Sequence, residues 1–266
     1  MLAPQSPQHL PLPDIAAYLH AHLHDNPSPA SVAAHFGLNR FALSRRFRAE
    51  TGLCLREYIA ALKIEQGIAP LLDGQPVIAS QLEAGHASAA TFSHRFQAHT
   101  GMCPRDYQQH AAQLAHTLAA AIAKPQARQW LHRPFAAEAH RQPHPLHVHI
   151  SGGEATRLVF VGLYPAPIPR GAPALGAALL GQRHWCINAV PDGRYYLLAC
   201  EIRASTRLMD YFRLDHCLRA RLLEPLQFPL PAARHITLAL RPHQASDPPI
   251  TVNLPKLLFD ALRRNP

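Results

Sequence analysis

Residues Leu43 to Tyr58 read LSRRFRAETGLCLREY, and 49 residues later Phe92 to Tyr107 read FSHRFQAHTGMCPRDY. Nine of the 16 aligned positions are identical: Ser44/Ser93, Arg46/Arg95, Phe47/Phe96, Ala49/Ala98, Thr51/Thr100, Gly52/Gly101, Cys54/Cys103, Arg56/Arg105 and Tyr58/Tyr107. That many matches at one offset mark two copies of one unit. Each copy carries a large apolar pair spaced four apart, Leu43 with Phe47 and Phe92 with Phe96. Residues at that spacing share one face of a helix. Each copy therefore reads as a helix with a buried stripe, ended by the Gly at 52 or 101, where a left-handed cap is available.

The flanks complete the unit. Asn39 caps the first of these helices. Before it, Ser28-Pro29 supplies a cap and a first-turn proline, and Val32, Ala33 and Phe36 give a short apolar stripe closed by Gly37. Two short helices joined by a Gly-containing turn are a helix-turn-helix signature. Further upstream, Asp14 caps a helix with Ile15, Leu19 and Leu23 on one face, and residues 1–13 are a Pro-rich lead-in. Cys54 to about Leu72 predicts a linker helix. Gly67 and Pro70 within it predict a bend or break, since an interior proline costs about 3 kcal/mol. After the turn Asp73-Gly74-Gln75-Pro76, the second unit repeats the plan with a helix over 77–84, a turn at Gly85 and a helix from Ser88 to His99. An Ala-rich helix follows over 108–123, and 124–143 reads as a linker.

The outward chemistry of the two copies differs. With Leu43 at zero on the helical wheel, Phe47 falls near 40°, Ser44 near 100°, Arg48 near 140°, Phe41 near 160° and Arg45 near 200°, at about 100° per residue. The face opposite the core thus carries Phe41, Ser44, Arg45 and Arg48. Arg suits guanine edges, Ser bases or phosphates, and an exposed aromatic a thymine methyl. Arg40 and Arg46 flank this face and are placed for phosphates. The second copy presents Ala90, Ser93, His94 and Gln97, with no Arg among them. The first copy is expected to specify a nucleic-acid site and the second to position the chain on it.

A length of 266 residues suits two domains, and 48% hydrophobic content suits a folded chain. From residue 144 the pattern changes to strands, in LHVHI (146–150), RLVFVGLY (157–164), HWCINAV (184–190), RYYLLACEI (194–202), HCLRARLLEPLQF (216–228) and RHITLAL (234–240). Pro191-Asp192-Gly193 is a turn between two of them, and 254–264 a closing helix. The fold class is multidomain: an all-α tandem helix-turn-helix domain over 14–123, then a mainly antiparallel, sandwich-like β domain over 144–266. The net charge of +9 lies entirely after residue 110, with 18 Lys+Arg against nine Asp+Glu. Such a surplus favours polyanions and motivates nonspecific phosphate contacts from the β domain. Five cysteines without a CxxC pair read as reduced thiols. No secretion signal and no apolar run of about 18 residues appears, so the expected location is cytoplasmic, with no membrane partner.

Other constellations point less far. Cys54 and Cys103 at equivalent positions are explained by duplication of a small buried residue after each Gly stop. His144, His147 and His149 form HxxHxH, and on a strand His147 and His149 share a face, but 19 histidines make coincidence the better account. His216-Cys217 and His184-Trp185-Cys186 lack an oxyanion context. No phosphate loop or dinucleotide fingerprint is present. No enzyme activity, metal or cofactor is expected.

The tandem units joined by a linker helix resemble the AraC/XylS family of transcription regulators over about residues 15 to 108. The closing motif, Phe92-Ser93-x-x-Phe96 followed by Gly101-x-x-Pro104-x-x-Tyr107, is very like that family's pattern. The resemblance implies major-groove entry by the second helix of each unit, with base-facing roles on Phe41, Ser44 and Arg45 and on Ala90 and His94. It implies double-stranded DNA, RNA polymerase and a small-molecule effector at the C-terminal domain as partners. The chain departs from the family at Gly85-His86 (usually Gly-Phe), at Ser80-Gln81 (usually Ile-Ala), at Gly67 and Pro70, and in placing this part first. Residues 144–241 are loosely similar to transthyretin-like or carboxypeptidase-regulatory β-sandwiches, through Val159-Phe160-Val161-x-Leu163-Tyr164 and Val190-Pro191-Asp192-Gly193-x-Tyr195-Tyr196. A different class of function, a β-sandwich ligand-, metal- or protein-binding protein whose helix-turn-helix part has lost specific readout, is motivated by the weak second face and Pro70.

Overall fold

The computed structural model describes residues 12–123, 127–134, 138–154 and 156–264; the lead-in up to residue 11 lies outside them. The first half holds α1 (Leu12–Ala21), α2 (Pro29–His35), α3 (Arg40–Thr51), α4 (Leu55–Leu72), α5 (Val77–Glu83), α6 (Ala89–Thr100) and α7 (Pro104–Ile122). Capping chemistry sets the boundaries. Ser28 and Ser31 satisfy each other's backbone amides, at 3.1 and 2.8 Å, before α2. Asn39 Oδ1 accepts from the Phe41 and Ala42 amides at 2.9 and 3.2 Å. Gly52 and Gly101 end α3 and α6 in the left-handed region, at φ 82° and 75°. Asp14 sits within the first turn of α1 and not at its cap, because the helix already includes Leu12.

Two features of α4 differ from the sequence expectation. The helix runs through Gly67 and Pro70 without a break. Pro70 falls in its last turn, so it costs the bond to the Gln66 carbonyl but leaves only two further helical residues to be displaced by a kink. Gly67 suits close packing: a Cβ there would stand 3.1 Å from Phe92 Cε2 and 3.3 Å from Ala84 Cβ, so either neighbour would have to give by a few tenths of an ångström. The residues that depart from the family pattern close around this point. Ser80 Oγ donates to the Gly67 carbonyl at 2.5 Å, and Gln81 Nε2 donates to the His86 carbonyl at 2.9 Å. All of Ser80, Gln81 and His86 are buried, so the Ser80 hydroxyl and Gln81 amide need these partners, whereas His86 Nε2 is enclosed without one. Lys63 Nζ, also on α4, donates to the Gly85 carbonyl at 3.1 Å and to Asn26 Oδ1. It ties the two units together across the linker helix.

The second half holds β1 (Arg128–His132), β2 (His140–Ser151), β3 (Leu158–Tyr164), β4 (Leu175–Leu180), β5 (His184–Val190), β6 (Gly193–Ile202), β7 (Leu218–Arg221), β8 (Leu226–Phe228), β9 (Arg234–Ala239) and α8 (Leu254–Arg264). The large sheet runs β1-β4-β3-β6-β7, with β8 also on β6; the small one runs β5-β2-β9. Pairings are antiparallel except β2 with β9, which is parallel. Both sheets are open, and the β region is antiparallel-rich. The stretch 124–143, expected as a linker, contributes β1 and the start of β2 among its described residues. The Pro191-Asp192-Gly193 turn joins strands of different sheets and is not a hairpin.

Alternation along β3 explains the layering. Val159, Val161 and Leu163 face the small sheet, meeting Leu146, Val148, Trp185 and Ile236. Leu158 and Phe160 face the other way, into a core built with Trp130, Ala178 and Cys200 from the sheet, Leu257 and Leu258 from α8, Leu114 and Leu118 from α7, and Phe92 and Phe96 from α6. The second helix-turn-helix unit and the large sheet therefore share one core. Among the described residues no helix is long and apolar enough to cross a membrane.

Candidate nucleic-acid interface

The repeated frame is built the same way twice. Phe47 packs edge-on against Tyr58 at 5.3 Å, and Phe96 against Tyr107 at 5.2 Å. Thr51 Oγ1 donates to the Phe47 carbonyl at 2.7 Å and accepts from the Leu53 amide at 3.1 Å. Thr100 does the same with the Phe96 carbonyl and the Met102 amide, at 2.9 and 3.3 Å. The duplicated Thr-Gly pair thus fixes how each chain segment leaves its helix. Cys54 and Cys103 are the N-caps of α4 and α7, and Cys103 Sγ accepts from the Asp106 amide at 3.5 Å. Among the described residues no disulfide is formed.

Outside this frame, Phe41, Ser44, Arg45 and Arg48 on α3 are all exposed, with Phe41 at 63%. On α6, Ala90, His94 and Gln97 are exposed and Ser93 is half-buried. The structure therefore brings the predicted residues onto one solvent face per helix. Arg40 is exposed, but its guanidinium lies over the Phe41 ring, 4.6 Å from the centroid. That stacking orients both side chains. Arg46 and Arg95 are exposed at the flanks.

Each of these helices is held at its C-terminal end by the β half, which no local sequence signal foretells. Arg221 Nη1 donates to the Thr51 carbonyl at 2.8 Å and Nη2 to the Glu50 carbonyl at 3.3 Å. A cation there satisfies orphan carbonyls and suits the helix dipole. At the end of α6, the Gly171 amide donates to the His99 carbonyl at 2.6 Å, and His99 Nδ1 lies 2.9 Å from Thr251 Oγ1. The Pro-rich segment 165–174 between β3 and β4 runs from one helix end to the other. Ile168 is buried in the first unit's core, Pro167 covers Gly52 so closely that a Cβ there would stand 2.9 Å from Cγ, and Arg170 pairs with Glu57 at 3.7 Å. Replacing Ile168 with alanine should cost about 2–4 kcal/mol by leaving a cavity, read as a lowered midpoint in urea unfolding; an unchanged midpoint would show that the segment does not stabilise the first unit. The C-terminal ends of α3 and α6 are thus anchored on the β half, while Phe41, Ser44, Arg45, Arg48, Ala90, His94 and Gln97 stay exposed.

Part of the basic surplus of the second half is committed internally. Arg157 and Arg183 pair with the fully buried Glu201 at 3.3 and 3.1 Å. Arg241 makes two 2.7 Å bonds to Asp247, and Arg219 donates to the Leu214 carbonyl at 2.7 Å. These groups are structural cations before they are phosphate ligands. His147 stacks on His235 at 4.6 Å, and among the described residues no three His, Cys, Asp or Glu side chains are grouped to hold a metal.

This geometry, two helix-turn-helix units on one linker helix with one outward face each, defines a DNA-binding domain. Residues 32–110 match the family model described as a helix-turn-helix domain, and this part of the chain is a helix-turn-helix domain of the AraC type. Three solved structures are each similar over 38–41% of the chain. One is a protein of unknown function from Listeria innocua (20% identity, 38% of this chain and 97% of that one, TM-score 0.36). Another is a DNA-binding transcriptional dual regulator from Escherichia coli K-12 (16%, 41% and 99%, TM-score 0.37). The third is the C-terminal domain of the response regulator AraT from Geobacillus stearothermophilus (21%, 39% and 88%, TM-score 0.37). No curated protein matches the sequence.

Proposed function

We propose that the chain is a sequence-specific transcription regulator that reads the major groove of double-stranded DNA mainly through α3. The observation that carries this reading is the exposed row Phe41, Ser44, Arg45 and Arg48 opposite the buried Leu43 and Phe47. An Arg at the centre of such a row pairs with a guanine edge in two bonds. The α6 face, Ala90, Ser93, His94 and Gln97, has contact area but no such donor fork, so it sets register more than sequence. The β half acts as the platform on which both helices are mounted, and it remains the place for an effector or for contact with RNA polymerase. Its sandwich-like character and a cytoplasmic location belong to the same reading.

Selection of bound fragments from random DNA tests it. A consensus is expected, and a flat outcome would sink specific readout. Arg45→Ala should weaken binding to the selected site by about 1–3 kcal/mol and relax one base position. Uniform weakening across sequences would instead make Arg45 a phosphate ligand.

A further inference from the structure

A cavity of about 310 Å³ lies where α4 meets the C-terminal half, away from both reading faces. Its walls are apolar: Leu62 and Ile68 from α4, and Phe212, Leu214 and Ile250 from the other side, all buried. Its rim is polar, with His20, Arg213 and Asp215 exposed at the opening. That size and that combination of apolar wall and few polar groups suit a small ligand.

Two acceptors look into this space. Glu65 is half-buried and lines the cavity. A cation in its field, Arg219, has its Nη atoms on the carbonyls of Leu214, Asp215 and Pro248, while its Nε is enclosed without a partner. At the rim, Arg213 is paired with Asp73 at 2.6 Å. Burial outweighs Arg219 and pushes the Glu65 carboxyl up to about 7, as for a carboxylate short of a counter-charge. Beside it, Gln66 Oε1 is enclosed and makes no hydrogen bond. Enclosed acceptors without donors are costly, and both deficits are met by the same chemistry, a cationic N–H donor.

We propose that this cavity is a binding site for a small organic cation, a primary amine or amidine on an apolar body, with Glu65 as its counter-ion and Gln66 as a second acceptor. The ammonium would lie between the two acceptors, and the apolar body against Leu62, Phe212 and Ile250. The site lies on the helix that joins the two reading units, so its occupant would touch both halves of the chain.

Calorimetric titration of the full chain with benzylamine, and with benzyl alcohol as the neutral isostere, tests the assignment without DNA, so its outcome is separate from that of the DNA-reading proposal. Benzylamine should bind saturably at roughly 0.1–1 mM, the range open to a ligand of about eight heavy atoms. It should bind at least about tenfold more tightly than the alcohol, as charge-assisted bonding predicts. Glu65→Gln, which keeps the shape and removes the charge, should abolish that preference while leaving the alcohol's affinity unchanged. Equal affinity of the wild-type chain for amine and alcohol overturns the proposal, as does no saturable amine binding, or a preference that survives in Glu65→Gln.

Discussion

Replacing Phe96 with alanine is expected to destabilise the full chain by about 3–5 kcal/mol and to abolish the second reading unit and the large sheet in one transition. Phe96 is fully buried. It stands against Phe92 at 5.5 Å and Tyr107 at 5.2 Å, and Tyr107 in turn meets Phe212 at 5.4 Å. The same core continues through Leu114 and Leu118 on α7 to Trp130, Phe160 and Leu258. A void at Phe96 therefore weakens a layer that both halves share, and loss of either half exposes the apolar side of the other. Urea unfolding followed by far-UV and near-UV circular dichroism checks this. Coincident transitions shifted to lower urea are expected. A helical transition that moves while the near-UV transition stays in place would show that α6 and the sheet unfold independently.

That shared core also shows where the sequence could be read and where it could not. The repeated LSRRFRAETGLCLREY frame announces itself through local chemistry: a cap, a two-residue apolar stripe, a glycine stop. These are decided within a few residues, so the outward faces of α3 and α6 followed from helical geometry alone. The unbroken α4 did not. The penalty for Pro70 is visible locally, whereas the reason for Gly67, the approach of Phe92 from α6, is visible only in three dimensions. β4 was hidden for a related reason. Its LGAALL has small side chains of weak strand preference and no alternation, because all six residues are buried, with Leu175, Ala177 and Leu179 in the core on one face of the sheet and Ala178 and Leu180 in the core on the other. β1 is a five-residue edge strand whose partner lies some fifty residues on. The clamp of Arg221 on the end of α3 spans 170 residues, and nothing near either partner signals it. The departures at Ser80, Gln81 and His86 read as weaknesses of the second unit in sequence, yet in the fold Ser80 and Gln81 complete hydrogen bonds that an Ile-Ala pair would leave open.

His86 nevertheless carries a liability, which gives the chain an expected acid sensitivity between pH 6.5 and 4. Burial, then the charges of Lys63 and Arg95, lower His86 from 6.5 to about 4. Burial, then Arg170 and Arg95, lower His99 from 6.5 to about 4. In this window the unfolded chain takes up a proton at each position and the folded chain does not. Stability is therefore full above pH 6.5, falls as pH drops, and levels off below about 4, with each histidine contributing up to about 3 kcal/mol. His20 and His243 are lowered in the same sense, also by burial first. Glu65 acts oppositely. Its carboxyl is raised from 4.5 to about 7, so the folded chain is relieved of a buried charge as pH falls, which offsets roughly one of the two main histidines. Urea unfolding at pH 7 and pH 4.5 should show a net loss in acid. His86→Phe, which restores the residue usual in the resembling family and packs against Phe92, should narrow the difference by roughly 2–3 kcal/mol, and Glu65→Gln should widen it by a similar amount. A difference unmoved by His86→Phe would assign the acid sensitivity to other groups.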